Sequence, residues 1–123
     1  MKKLFSLLMA IVALPLMGSV SQVDSSQFNQ ATAKGIAIVD FYADWCGPCK
    51  QFAPVFESVS SEMEGKAVFL KVNADQAPDI LQKHGVRALP TIIVFKNGSE
   101  FARKVGPADA ETLRGYVKSA SKN

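Results

Sequence analysis

Three apolar runs in the middle of the chain predict buried β-strands. The first is IAIVDFYA over residues 36–43, an almost unbroken run rich in isoleucine, valine and aromatic residues. The second lies in KAVFLKVNAD, and the third is TIIVF over residues 91–95. Such runs are typical of strands that are covered on both faces. Asn97-Gly98 is a strong hairpin signal, so residues 100–105 are predicted to return antiparallel to the third strand.

Apolar residues at helical spacing separate these strands. A short helix is predicted from the N-cap side chains at residues 24–26 to Lys34-Gly35, and others over residues 77–84 and 109–120. A longer helix over about residues 46–64 contains Pro54, which predicts a kink. Its apolar stripe comprises Phe52, Val55, Phe56, Val59 and Met63. The pattern predicts an α/β fold: a central mixed sheet of four to five strands, flanked by helices on both faces.

The first 21 residues have the layout of a secretory signal peptide. Lys2-Lys3 supply the positive charge, residues 4–17 form an apolar run, and the small residues of GSVSQ follow. The run is shorter than the roughly 20 residues of a membrane span, although an uncleaved anchor stays an alternative. We therefore predict export from a bacterial cytoplasm to the periplasm or another extracytoplasmic site.

Cleavage is predicted near Ser21, with Gly18 and Ser19 as alternative sites, and residues 22–123 form one domain. Fourteen lysines and arginines against eleven acidic residues give the whole chain a net charge of +3. Without Lys2 and Lys3, residues 22–123 carry +1. A charge so close to zero argues against nucleic acid as a partner.

Both cysteines of the chain, Cys46 and Cys49, lie in WCGPC at the start of the longest predicted helix. Unpaired N–H groups at a helix N-terminus stabilise a thiolate. Cys46 is expected to be exposed and to attack a substrate disulfide, whereas Cys49 is expected to be shielded and to resolve the mixed disulfide. Pro48 suits the first helical turn.

Other uses of the cysteine pair fit the sequence less well. A four-residue ring removes little entropy from the unfolded chain, so a purely structural disulfide gains little stability. Zinc needs about four ligands, and His84 is the one histidine. Haem attachment needs histidine at the position of Lys50. The pattern predicts a redox pair without metal or cofactor, and His84 is expected to be a surface residue at a helix end.

The segment VDFYADWCGPCK resembles the active site of the thioredoxin family, and KVNAD, ALPT, FKNG and KVG follow in the order that the family shows. The similarity covers about residues 24–120. It implies the thioredoxin fold and a protein-disulfide reductase that works through Cys46 and Cys49.

The resemblance also assigns roles to residues outside the cysteine pair. Asp40 corresponds to a buried carboxylate, whose pKa desolvation would raise, and would accept the proton of Cys49. Lys71 corresponds to its partner, although a snorkelling side chain is an alternative. Substrate binding is assigned to Trp45, Gly47, Pro48, Ala88, Leu89, Pro90 (in the cis form), Thr91 and Gly106. For Gly106, a simple turn is the alternative.

The chain departs from the family pattern at several positions. Tyr42, Ala88 and Leu89 stand where tryptophan, glycine and isoleucine are usual. The family's first strand would lie just before Asp24, where SVSQV overlaps the predicted cleavage site. The mature protein would therefore have a truncated first strand, or be cut nearer Gly18.

The leading hypothesis is a monomeric exported reductase of disulfide-containing proteins, supplied with electrons by a thiol carrier in the membrane. Gly-Pro between the cysteines resembles the reducing members of the family. One alternative is an oxidase or isomerase that introduces or rearranges disulfides. Another is a binding or chaperone subunit that uses the surface without thiol turnover.

Overall fold

The structure is a computed structural model that describes residues 20–122. The predicted leader up to residue 19 lies outside the described residues. The elements follow in the order β1 (Val20–Gln22), α1 (Phe28–Thr32), β2 (Ile36–Tyr42), α2 (Gly47–Glu62), β3 (Val68–Asn73), α3 (Pro78–Lys83), β4 (Thr91–Lys96), β5 (Ser99–Val105) and α4 (Ala110–Ala120). No helix within residues 20–122 is long and apolar enough to cross a membrane.

The strands form one five-stranded sheet in the order β1-β3-β2-β4-β5. The strands β1, β3 and β2 run parallel to one another, whereas β4 pairs antiparallel with both β2 and β5. The predicted mixed sheet is confirmed, with the higher of the two expected strand numbers.

The central strand β2 is apolar almost throughout because both of its faces are covered. Val39 and Phe41 face a core that includes Phe28 of α1 and Ile80 of α3. Ile38 faces the opposite core, which is built with α2 and α4. Because side chains alternate along a strand, Asp40 lies on the same face as Ile38 and points towards α2. The alternation thus brings a carboxylate to the helix that carries the cysteines.

The helix α2 runs through Pro54 to Glu62 and packs its predicted stripe against the sheet. Phe52, Phe56, Val59 and Met63 are buried, and Val55 is half-buried. The stripe is therefore confirmed, while the kink at Pro54 stays a prediction.

The first helix is shorter than predicted because its expected cap forms a turn instead. The Oδ1 atom of Asp24 accepts hydrogen bonds from the backbone N–H groups of Ser26 and Gln27, at 2.9 and 3.0 Å. The predicted hairpin between β4 and β5 is confirmed. Asn97 and Gly98 both have positive φ, 51° and 85°, as a tight hairpin turn requires.

His84 lies at the end of a helix, as predicted, but it is half-buried and not a fully exposed surface residue. It caps the C-terminus of α3, which packs on the same core as Phe28 of α1 and Phe95 of β4. Its ring centroid lies 5.2 Å from that of Phe28 and 5.3 Å from that of Phe95. Its Nε2 atom is buried without a hydrogen-bond partner among the described residues.

Candidate active site

The two cysteines lie where the chain passes from β2 into α2, and they form a disulfide. Cys46 is the N-cap of α2, with Pro48 in the first turn of the helix. The backbone N–H of Cys49 donates to Cys46 Sγ over 3.2 Å. A helix-terminal N–H therefore points at the sulfur of Cys46, where it would stabilise a thiolate in the reduced protein.

Both cysteines are buried in the disulfide form, so the predicted exposure of Cys46 is wrong. Cys46 is 6% exposed and Cys49 is 3% exposed. Ala43 joins the two cysteines in one small apolar cluster, and the half-buried Ala74 and Leu89 pack against it. The sulfurs are thus covered by the loops that surround the start of α2, and Cys46 keeps only a small advantage in accessibility.

Asp40 is a buried carboxylate beside the cysteine pair. Its side chain is 4% exposed, and Oδ1 has no hydrogen-bond partner among the described residues. Desolvation raises the pKa of Asp40 from 3.8 to about 7, against the opposing effect of the Lys71 charge. A cavity of about 360 Å³ is lined by both Asp40 and Cys49 and has room for water. Asp40 can therefore accept the proton of Cys49 through water near neutral pH.

Lys71 lies opposite Asp40 in the β2–β3 register, and both line the cavity. The two side chains form no direct ion pair in the described structure. Lys71 Nζ instead lies 5.5 Å from the centroid of the Tyr42 ring, a cation–π distance. The predicted partnership is electrostatic: the positive charge of Lys71 lowers the pKa of Asp40, opposing burial.

The loop before β4 carries the predicted substrate-binding edge. The Leu89–Pro90 peptide bond is cis, and Ala88 is exposed. The hydroxyl of buried Thr91 donates to the carbonyl of Ala88 over 2.6 Å. Gly106 donates its N–H to the carbonyl of Pro90 over 2.7 Å, at a φ of 98° that favours glycine. Gly106 therefore joins β5 to this loop, and does more than form a turn.

Trp45 is the most exposed large apolar side chain of the described residues, at 70%, and Gly47 and Pro48 beside it are also exposed. Its Nε1–H donates to Asp75 Oδ2 over 2.9 Å. The backbone N–H of Asp75 donates in turn to Asn73 Oδ1 over 2.9 Å. Asp75 is a residue of this site that was not predicted, although its place at the end of a parallel strand in KVNAD is a usable signal.

The chemistry of this site is that of two sulfurs and one carboxylate. Within residues 20–122, no group of three or more histidine, cysteine, aspartate or glutamate side chains is placed to hold a metal ion. A redox disulfide, a helix N-terminus at one sulfur and a carboxylate near the other suffice for thiol–disulfide exchange.

Comparisons with known proteins agree with this geometry. The family model described as Thioredoxin matches residues 19–119. The chain is 45% identical to the mitochondrial Thioredoxin-2 of Schizosaccharomyces pombe over 111 residues, which are 89% of this chain and 82% of that protein. It is 40% identical to a thioredoxin of Staphylococcus aureus over 95 residues, which are 77% of this chain and 91% of that protein.

Solved structures give the same result. The crystal structure of thioredoxin from Malassezia sympodialis superposes with a TM-score of 0.77 at 40% identity, covering 85% of this chain and 93% of that chain. A point mutant of thioredoxin from Halobacterium salinarum gives a TM-score of 0.79 at 28% identity, covering 86% of this chain and 94% of that chain.

Proposed function

The chain belongs to the thioredoxin family and is a thioredoxin-type disulfide oxidoreductase, and we propose that it reduces protein disulfides outside the cytoplasm. One observation carries the proposal of thiol–disulfide exchange: a buried carboxylate, Asp40, lines the same cavity as Cys49 while Cys46 caps the helix. Gly47-Pro48 between the cysteines supports the reducing direction. A binding or chaperone subunit without thiol turnover has no need of this arrangement.

In the proposed reaction, the reduced protein gives two electrons to a substrate disulfide. The Cys46 thiolate attacks one substrate sulfur, and the other substrate sulfur leaves as a thiolate that takes up a proton. Asp40 then accepts the Cys49 proton through water, and the Cys49 thiolate attacks Cys46 Sγ. The substrate sulfur that was bonded to Cys46 leaves as a thiolate and takes up the proton that Asp40 accepted, through water. The substrate is then a dithiol and the protein a disulfide.

The proposal of export depends on the leader. Lys2-Lys3 and the apolar run over residues 4–17 fit a secretory signal. The relatives include a mitochondrial protein. Mitochondrial presequences are rich in arginine, whereas residues 1–21 contain none. We therefore propose an extracytoplasmic location, with cleavage of the leader in preference to a permanent anchor.

The position of cleavage matters for β1. Val20 and Ser21 pair with Phe69 and Leu70 of β3, so cleavage after Ser21 would remove two of the three residues of β1. Cleavage nearer Gly18 would keep the strand whole. The intact mass of the exported protein should place its first residue between Ser19 and Gln22, and the pairing favours the start of that interval. The full-length mass in the cytoplasm would contradict export.

An oxidising compartment would exhaust such a reductase unless electrons were resupplied. We propose a thiol carrier in the membrane as the donor and a monomer as the working form. Acid-quenched thiol trapping in cells should find Cys46 and Cys49 largely reduced. If they are largely oxidised, and deletion of the protein slows disulfide formation, the protein is an oxidase or isomerase and our proposal is wrong.

A further inference from the structure

The loop between α3 and β4 is attached near both of its ends to β5 and the residue that follows it. At its C-terminal end, the Gly106 N–H donates to the Pro90 carbonyl over 2.7 Å. At its N-terminal end, the Arg103 guanidinium donates to the carbonyls of His84 and Gly85, over 2.6 and 3.3 Å. Residues 86–90 therefore lie between two points of attachment, one to Arg103 of β5 and one to Gly106 just after β5.

The anchor at Arg103 is held in place from its own strand. Arg103 donates from Nε and a terminal nitrogen to the two carboxylate oxygens of Glu100, at 2.9 and 2.7 Å. This bidentate geometry fixes the plane of the guanidinium, which leaves donors free for the two carbonyls. The side chain is 29% exposed, so water competes only in part for these bonds.

Between these anchors, contacts within the described chain also hold the loop. Val86 is buried in the core, Leu89 packs against the cysteine cluster, and the Ala88 carbonyl accepts from the Thr91 hydroxyl over 2.6 Å. The Val86 N–H donates back to Leu81 O over 2.8 Å, but the N–H groups of Arg87, Ala88 and Leu89 have no backbone acceptor within residues 20–122. This lack of partners leaves the backbone open to an extended substrate segment. The Arg103 bonds add a backbone restraint at the N-terminal end of the loop, next to these open N–H groups.

We propose that Arg103 is a positioning residue for substrate binding: by fixing His84 and Gly85, it sets the position of the Ala88–Leu89 edge beside the disulfide. The inference rests on the proposed role of this edge in binding protein substrates. Arg103 touches neither sulfur, so it should matter for protein disulfides, which need the edge, and not for a small aromatic disulfide, which does not.

The chain offers a matched control. Arg114 makes a comparable pair with Glu62, at 2.7 and 3.1 Å, and its side chain is 39% exposed. This pair joins α4 to the end of α2 and has no bond to the loop over residues 86–90. Arg103→Gln and Arg114→Gln therefore remove the same type of ion pair, but only the first removes an anchor of the loop.

The test is single-turnover oxidation of the reduced protein by excess insulin or by 5,5′-dithiobis(2-nitrobenzoate), followed through the fluorescence of Trp45, the one tryptophan. With insulin, Arg103→Gln should be slower than wild type by about fivefold or more, through a weaker apparent affinity. With the small disulfide it should match wild type, and Arg114→Gln should match wild type with both.

Two further measurements separate positioning from general loss of stability. Hydrogen exchange in Arg103→Gln should quicken at the Val86 amide, which donates to Leu81 O beside the lost anchor, and stay unchanged in α2. Glu100→Gln, which keeps the arginine, should slow the insulin reaction less than Arg103→Gln does. Equal insulin rates for Arg103→Gln and wild type, or equal losses with both disulfides, would overturn the inference alone. A wild-type protein that fails to reduce insulin would overturn the proposed function as well.

Discussion

Replacing Asp40 by asparagine keeps the shape of the side chain and removes its titration. In the folded protein, burial raises the pKa of Asp40 from 3.8 to about 7. Between these values the folded protein holds a proton that the unfolded chain releases. The contribution of Asp40 to stability is therefore fully present below about pH 3.8 and is lost as pH rises through about 7.

The size of the effect follows from the pKa difference, which is about 3. At 1.36 kcal/mol for each pKa unit, the ionised Asp40 costs the folded protein about 4 kcal/mol. The asparagine side chain cannot ionise, so the variant does not bury a charge at high pH. Its free energy of unfolding should equal that of wild type near pH 4 and exceed it by about 4 kcal/mol near pH 8.5.

Urea unfolding of the oxidised proteins at several pH values measures this difference directly, since other titrating groups cancel between the two proteins. Asp44→Asn is the matched control for the substitution, since Asp44 lines the same cavity but is exposed. A gain for Asp40→Asn that is constant with pH, or a loss of stability at pH 8.5, would refute the reasoning. The same substitution should slow resolution of the mixed disulfide by about tenfold or more at pH 7.

Three further predictions concern other parts of the site and its surroundings. In reduced protein near pH 7, alkylation should modify Cys46 well before Cys49. The Cys49→Ser variant should accumulate mixed disulfides with substrates, whereas Cys46→Ser should not. Equal alkylation rates at the two cysteines would contradict the assignment of Cys46 as the attacking thiol. Burial, with the nearby positive charges, lowers the pKa of His84, so the stability it supports is present above pH 6.5 and falls as pH drops. His84→Phe should therefore lose less stability than wild type between pH 7.5 and 5, as urea unfolding would show, and an equal loss would contradict this. Asp75 accepts a hydrogen bond from the indole N–H of Trp45, so Asp75→Ala should lower the fluorescence anisotropy of Trp45. Asp75→Asn keeps an acceptor and should change the anisotropy less. Unchanged anisotropy in Asp75→Ala would show that the bond does not restrain the ring.

Local sequence signals determined the elements and the reactive pair. The apolar run of β2 predicted burial on both faces, and Asn97-Gly98 predicted a tight turn, because these preferences depend on residues close in the chain. Two cysteines at a predicted helix start likewise indicated a redox pair, since the helix N-terminus acts on the nearest sulfur, and the motifs around them strengthened this interpretation.

Contacts between distant segments were decided only by the tertiary structure. The sequence could not show that Ala74 and Leu89 cover the disulfide and bury Cys46, nor that His84 fits between two phenylalanine rings. It also could not show that Lys71 contacts Tyr42 in place of a direct pair with Asp40. Burial and ionic contacts depend on how the sheet and helices pack around a side chain, and residues far apart in the chain provide that packing.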